Sequence, residues 1–133
     1  MASNVPPLIA KTLRERLARS HAPYSSVHVA AAVEDETGRV HYGVNVENAA
    51  YPEGVCAEAS AISTAIGEGA KSLRRVYLAS SLPGLIWPCG GCRQKIWEFA
   101  EPGCEVISLG ADGQIQAHAI EALLPLGFRL PRP

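Results

Sequence analysis

The sequence predicts an α/β protein in which one sheet lies between helices. Segments typical of strands alternate along the chain with segments typical of helices, a pattern that places helices on both faces of a sheet. The length of 133 residues suits a single domain, 1–133, with one core. Hydrophobic residues make up 47% and charged residues 19%, which favours a compact protein over a disordered one.

A helix and a hairpin are predicted in the first third of the chain. Behind two prolines at positions 6 and 7, apolar residues recur every four positions and predict an amphipathic helix. These residues are Ile9, Leu13 and Leu17. A loop is expected at 21–26. A run of small apolar residues at 27–33, a turn at 34–38 and β-favouring residues at 39–44 then predict two paired strands.

Helices and strands alternate through the rest of the chain, after an irregular segment at 45–55. Residues 57–66 have helical composition and end near two glycines. The further elements expected are a buried strand at 75–79, a loop at 81–91, a helix at 92–100, a strand at 105–109, a short strand at 114–117 and a short helix at 120–124. No repeat or linker indicates a second domain.

Charge and hydropathy exclude several classes of partner. The formal net charge of −1 predicts no strong attraction to nucleic acid or to an anionic membrane. No apolar run approaches the roughly 18 residues needed to cross a bilayer, and the first residues lack the features of a signal peptide. We therefore expect a cytoplasmic protein, in which the four cysteines are metal ligands or buried thiols rather than disulfides.

Three cysteines and a glutamate form the pattern that indicates chemistry. Cys56 and Glu58 begin one predicted helix, and Cys89 and Cys92 begin another within Pro-Cys-Gly-Gly-Cys. The free amides and the positive dipole at a helix start favour thiolates. Three thiolates would leave the fourth position of a tetrahedral zinc ion open for water, as in catalytic sites. Glu58 could then lie beside the metal as a proton shuttle without binding it.

Other interpretations of these residues remain open. A lone Cys-x-x-Cys pair could be redox-active or half of a structural zinc site, and a structural site would need a fourth ligand. Cys104 is the only cysteine left, and its position at the start of an apolar strand favours a buried thiol. A noncatalytic zinc-stabilised binding protein is a further alternative, although such a site has no need of Glu58. Three cysteines with a non-ligand glutamate are typical of zinc-dependent base deaminases.

The chain resembles the cytidine deaminase family in its small, single-domain form. The likeness covers most of the chain. It includes Pro23-Tyr24-Ser25, residues 43–51, both cysteine motifs, Arg93-Gln94, and the tail Leu123-Leu124-Pro125 with Phe128. The resemblance implies a three-layer α-β-α sandwich with a central mixed sheet of about five strands. It also implies a homotetramer whose active sites are completed by neighbouring subunits.

The resemblance further implies an activity, the zinc-dependent hydrolysis of cytidine or deoxycytidine to the uridine product with release of ammonia. One zinc ion per chain would be held by Cys56, Cys89 and Cys92. Glu58 would move the proton, and the backbone amide of Ala57 would contact the base. The partner is thus a small nucleoside, in pyrimidine salvage, rather than a nucleic acid polymer or a membrane.

The residues that would bind the sugar and border the far side of the base are assigned from the same resemblance. Asn45 and Glu47 would bind the ribose hydroxyls, and Val27 and Phe128 would border the substrate. An amide and a carboxylate two residues apart at a strand end point to the same side and offer a donor and acceptors. Without the family, both residues would be interpreted as polar groups that cap a loop.

Three positions differ from the usual family residues. Ala59 replaces an arginine that hydrogen-bonds the zinc thiolates, Val27 replaces a phenylalanine near the base, and Trp87 stands where small residues are common. We expect Arg93 to offset part of the missing charge if it turns toward the sulfurs. The smaller Val27 predicts weaker binding of plain cytidine and tolerance of substituents on the base. A base-modified cytidine, or a nucleoside antibiotic such as blasticidin S, is therefore an alternative substrate.

Overall fold

The structure is a computed structural model that describes residues 4–132. Its strands are β1 (Val29–Asp35), β2 (Val40–Val44), β3 (Leu73–Ser80), β4 (Ala100–Leu109) and β5 (Ile115–Ala119). They form a five-stranded sheet in the order β2-β1-β3-β4-β5. The pair β3 and β4 is parallel, and the other neighbours are antiparallel. The expected mixed sheet and the hairpin of β1 and β2 are confirmed.

Helices cover both faces of this sheet. They are α1 (Pro7–Arg16), α2 (Ala57–Gly67), α3 (Gly90–Phe99) and α4 (Ile120–Leu123). Ala30 and Ala32 of β1 face the α1 side, whereas Ala31 and Val33 face α2, α3 and α4, as the period of two in a strand requires. The predicted three-layer α-β-α arrangement is therefore confirmed. Within residues 4–132, no helix combines the length and apolarity needed to span a membrane.

A close contact between β2 and α2 positions the start of α2. A Cβ added to Gly43 would lie 2.3 Å from the backbone nitrogen of Ala61 and 2.7 Å from the carbonyl oxygen of Ala57. Only a residue without a side chain allows the helix to approach the strand this closely. The contact brings the first turn of α2 next to the end of β2, which Asn45 follows.

Strand β4 begins earlier than the sequence indicates. Its first residue is Ala100, which pairs with Leu73, and the register then shifts so that Arg75 pairs with Glu105. The inserted residues form a bulge in which Gly103 has a φ of +76°. A glycine in that conformation is typical of a turn, and for this reason the local sequence predicts only the strand beyond it.

A buried charge network joins the β1–β2 turn to the end of α2. His41 Nε2 lies 2.8 Å from Asp35 Oδ2, and His41 Nδ1 lies 3.1 Å from Glu68 Oε1. The buried His41 ring therefore lies between two carboxylates, of which Asp35 is buried and Glu68 is partly exposed. Asp35 Oδ1 also accepts the backbone N–H groups of Thr37 and Arg39, at 2.8 Å and 3.1 Å.

Asp35→Ala is expected to destabilise the fold by about 3 kcal/mol at neutral pH, because it removes the buried carboxylate that bonds the His41 ring and accepts the backbone N–H groups of Thr37 and Arg39. Burial alone would raise the pKa of Asp35, but the hydrogen bonds from His41, Thr37 and Arg39 outweigh burial and hold the pKa well below its usual range. The ionised carboxylate therefore favours the folded state. This contribution is present above about pH 4 and is lost as the pH falls further.

Urea unfolding of wild type and Asp35→Ala across this pH range measures the effect. The difference in the free energy of unfolding should narrow toward acid pH. Arg39→Ala is the matched control, because it removes an exposed pair with Glu68 that is worth less than about 1 kcal/mol. Equal losses in both variants, or a difference that does not depend on pH, would contradict this role for Asp35.

Candidate active site

Three cysteine side chains converge at the starts of two helices. Cys56 is the N-cap residue of α2, Cys89 is the N-cap residue of α3, and Cys92 lies in the first turn of α3. Their Sγ atoms all lie within 4.8 Å of one another. Sulfur ligands about 2.3 Å from a tetrahedral zinc ion lie roughly 3.8 Å from one another. One ion therefore fits this cluster after a small movement of the sulfur atoms toward each other.

The surroundings of the sulfurs also suit a cation. Burial raises the pKa of the Cys92 and Cys56 thiols, whereas the backbone N–H of Cys92 lowers the pKa of Cys89. A coordinating metal removes the cost of the buried negative charge and binds the thiols deprotonated. Both helix N-termini add positive potential at this point. The donor set therefore fits zinc held by three thiolates.

Glu58 lies next to this cluster, in the first turn of α2. Its side chain is buried, with 5% of the residue exposed, yet it borders a cavity of about 200 Å³ together with Cys56, Ala57 and Cys89. Burial raises the pKa of Glu58. A carboxyl group whose protonated form is favoured in this way can both accept and donate a proton. The two cysteine motifs and Glu58, predicted as one site, are thus brought together.

Residues of the sheet and of the loop before α3 complete the lining of this cavity. Val29 and Asn45 line it on the side of β1 and β2. Ile86 and Trp87 line it from the loop that precedes α3. Trp87 is one of the three positions that differ from the usual family residues, whereas the sequence does not single out Ile86. Its position immediately before the Trp-Pro-Cys segment is the signal that could have identified it.

Asn45 has a structural role in addition to any ligand contact. Its Oδ1 accepts hydrogen bonds from Ser20 Oγ, at 2.6 Å, and from the Val29 backbone N–H, at 2.8 Å. Its Nδ2 donates to the Val27 carbonyl oxygen at 2.8 Å. These bonds use both acceptor positions of Oδ1 and one hydrogen of Nδ2, so a ligand would be bound through the second hydrogen.

Glu47 faces a different cavity from Asn45. Its Oε1 accepts the backbone N–H groups of Tyr24 and Ser25, at 3.0 Å and 3.2 Å, and its Oε2 accepts the Ser25 hydroxyl. The hydrogen bond from the Ser25 side chain is the main reason that the pKa of Glu47 is lowered, so the group is ionised at neutral pH. Together with Tyr51 these residues line a cavity of about 330 Å³.

Two further predicted site residues lie elsewhere. Of the residues that the structure describes, Val27 and Phe128 are not among those lining the cavity beside the cysteines. Phe128 is exposed, and its carbonyl oxygen accepts a hydrogen bond of 2.9 Å from Gln94 Nε2. Cys104 is buried in the core on the α2 side of the sheet, as expected for a thiol that is not a ligand.

Arg93 supports the loop before Cys89. Its Nε donates to the Pro88 carbonyl oxygen at 2.8 Å, and its guanidinium also donates to the Leu123 carbonyl oxygen at 3.0 Å. These bonds join the start of α3 to the end of α4. Because these bonds direct the guanidinium toward carbonyl oxygens, Arg93 does not turn toward the sulfurs to offset the negative charge of the thiolates, contrary to the expectation from the sequence.

Comparison with known proteins agrees with this geometry. The profile of the cytidine and deoxycytidylate deaminase zinc-binding region matches residues 9–108. A cytidine deaminase of Sporosarcina psychrophila is 34% identical over 125 residues, which cover 94% of this chain and 91% of that protein. A crystal structure of cytidine deaminase from Burkholderia pseudomallei superposes with a TM-score of 0.86 and 31% identity, over 94% of this chain and 100% of that one.

Proposed function

Because the chain belongs to the cytidine and deoxycytidylate deaminase family and is a zinc-dependent hydrolase, we propose that it converts cytidine or deoxycytidine and water to the corresponding uridine and ammonia. The observation that carries this proposal is the single cavity in which Glu58 lies beside two of three clustered cysteines. A structural zinc site would not need a buried carboxyl group there.

The reaction follows from the positions of the chain's own groups. Cys56, Cys89 and Cys92 would hold zinc, which, when bound, acidifies a water molecule and makes it nucleophilic. Glu58 would accept one proton from the attacking water as the water oxygen adds to C4 of the base, and would pass this proton to N3. Glu58 would then take the remaining proton from the new hydroxyl on C4 and deliver it to the amine, so that the C4–N bond breaks, the C4 carbonyl forms and ammonia leaves.

Substrate binding is proposed to involve both sides of the cavity. The backbone amide of Ala57 contacts the base, and Asn45 donates its second Nδ2 hydrogen to the ribose. Glu47 is proposed to act on the sugar as well, although within one chain it lines the neighbouring cavity. Glu47, Val27 and Phe128 would contribute if chains assemble around shared active sites, as in the proposed homotetramer.

The cellular setting is also part of the proposal. Thiols that must remain reduced to bind a metal suit the cytoplasm. There, deamination of free nucleosides would contribute to pyrimidine salvage. The whole chain, 1–133, is proposed to work as one domain.

The substrate proposal is tested by comparing kcat/KM for cytidine, deoxycytidine and free cytosine. Cytosine should be the poorer substrate by tenfold or more, because each polar group left unpaired costs about 1–3 kcal/mol. Glu47→Gln should lower the efficiency on cytidine but not on cytosine, so the ratio of the two substrates provides an internal control for folding. Equal efficiency on cytosine and cytidine would refute the ribose assignment.

A further inference from the structure

We propose that Trp87 determines specificity by limiting the size of substituents on the edge of the base that carries the amine. This inference rests on the proposed deaminase function and concerns the same cavity. Trp87 lines that cavity together with Cys89, Val29 and Asn45. It is the largest side chain in the wall, so its position sets how much space remains for the base.

The sheet order defines which end of the cavity Trp87 occupies. Asn45 directly follows β2, the strand at one edge of the sheet. The ring of Trp87 contacts His118 of β5, the strand at the other edge, with centroids 4.8 Å apart and an interplanar angle of 63°. Helix α2, which begins after Cys56, packs on β1 and β2, whereas α3, which begins after Cys89, packs between α2 and α4. The cavity therefore has a polar end near β2 and an aromatic end near β5.

A nucleoside can occupy this cavity in only one direction if Asn45 binds the sugar. The base then extends from the β2 side past Glu58 toward the loop before α3. Its amine-bearing edge, which includes C4 and the adjacent C5, must approach the cysteine cluster for the reaction to occur. Ile86 and Trp87 follow the cluster on that side. A substituent on C5 would consequently meet the indole.

Contacts at three consecutive residues, Ile86, Trp87 and Pro88, hold this wall of the cavity in place. The backbone N–H of Ile86 donates to Ser108 Oγ of β4 at 3.1 Å, and Ser108 is fully buried. The half-buried Trp87 ring packs against the core and meets His118 edge to face. The Pro88 carbonyl accepts the Arg93 bond already described. A segment fixed at consecutive residues cannot move aside at low cost to admit a larger base.

This arrangement changes the expectation based on Val27. The smaller side chain at that position predicted a wider pocket, but of the described residues Val27 is not one that lines the cavity beside the cysteines. The limit to substituent size is instead set by Trp87. We therefore expect selectivity for the unsubstituted base rather than tolerance.

The test compares kcat/KM for cytidine with that for 5-methylcytidine and 5-iodocytidine. Wild type should discriminate more strongly as the substituent grows. Trp87→Ala should raise the efficiency on 5-iodocytidine relative to cytidine by about tenfold or more, the size of effect that a change in pocket volume has on discrimination. Trp87→Phe should give an intermediate ratio. His118→Ala should shift the ratio in the same direction as Trp87→Ala, whereas His118→Phe should preserve it.

Leu85→Ala is the matched control. Leu85 is a half-buried apolar residue of the same loop, and of the described residues it is not one that lines this cavity. Because each ratio is measured on one protein, losses of stability or zinc cancel. The inference is overturned if wild type accepts 5-iodocytidine as readily as cytidine, or if Trp87→Ala and Leu85→Ala give the same ratio. A zinc-loaded wild type that deaminates none of the three nucleosides would instead overturn the proposed function.

Discussion

Glu58→Gln is expected to lower the turnover of cytidine by a factor of about a hundred to ten thousand, the usual contribution of general acid–base catalysis. Glutamine keeps the shape of the side chain but cannot accept the proton from water or deliver one to the leaving amine. The cysteines are unchanged, so the zinc content should equal that of wild type. Turnover at saturating cytidine, together with metal analysis of the same preparation, measures both quantities.

Glu15→Gln is the control for this substitution. Glu15 is exposed on α1, where it pairs with Lys11 at 3.9 Å, on the opposite face of the sheet from the cavity. Its replacement removes the same charge without affecting the proposed chemistry, so turnover should stay at the wild-type level. A Glu58→Gln protein that retained more than about a tenth of the wild-type turnover would show that Glu58 is not the proton shuttle.

Removal of any one of the clustered thiols is expected to abolish catalysis through loss of the metal. Cys56→Ala, Cys89→Ala and Cys92→Ala each leave two thiolates, and two ligands hold zinc far more weakly than three. Metal analysis should find well below one zinc per chain, and uridine formation should fall to the background rate. Both readouts should change together in all three variants.

Cys104→Ala separates a ligand from a buried thiol. Burial raises the pKa of Cys104 to about 12, so this group stays a neutral thiol within the core. Its replacement should cost about 1 kcal/mol of stability from lost packing while zinc content and turnover are retained. Normal zinc content in a variant of the cluster, or loss of zinc in Cys104→Ala, would contradict the assignment of ligands.

The sequence predicted most of the fold because the decisive signals are local. The period of four in α1 and the run of small apolar residues in β1 each lie within a few neighbouring positions. The same holds for the metal site, where the three cysteines and Glu58 belong to two short motifs. Each motif begins a helix, and this placement alone brings the ligands to helix N-termini.

What the sequence could not predict depends on residues far apart in the chain. Asn45 is held by Ser20, and Glu47 by Tyr24 and Ser25, through bonds that span more than twenty residues. These bonds place the side chains of Asn45 and Glu47, the two residues proposed to bind the sugar, beside different cavities. Their spacing of two residues at a strand end predicts instead that both side chains point to the same side. The contact of Trp87 with β5 likewise exists only once the sheet has formed.

The most direct test of the account is the zinc dependence of uridine formation from cytidine. Purified protein is assayed for uridine and ammonia as isolated, after removal of the metal with a chelator, and after zinc is added back. We expect equal amounts of the two products, their loss with the metal, and their recovery with about one zinc per chain. Deamination that persists at the full rate in metal-free protein would contradict the account, as would a zinc-loaded protein that deaminates no cytidine nucleoside.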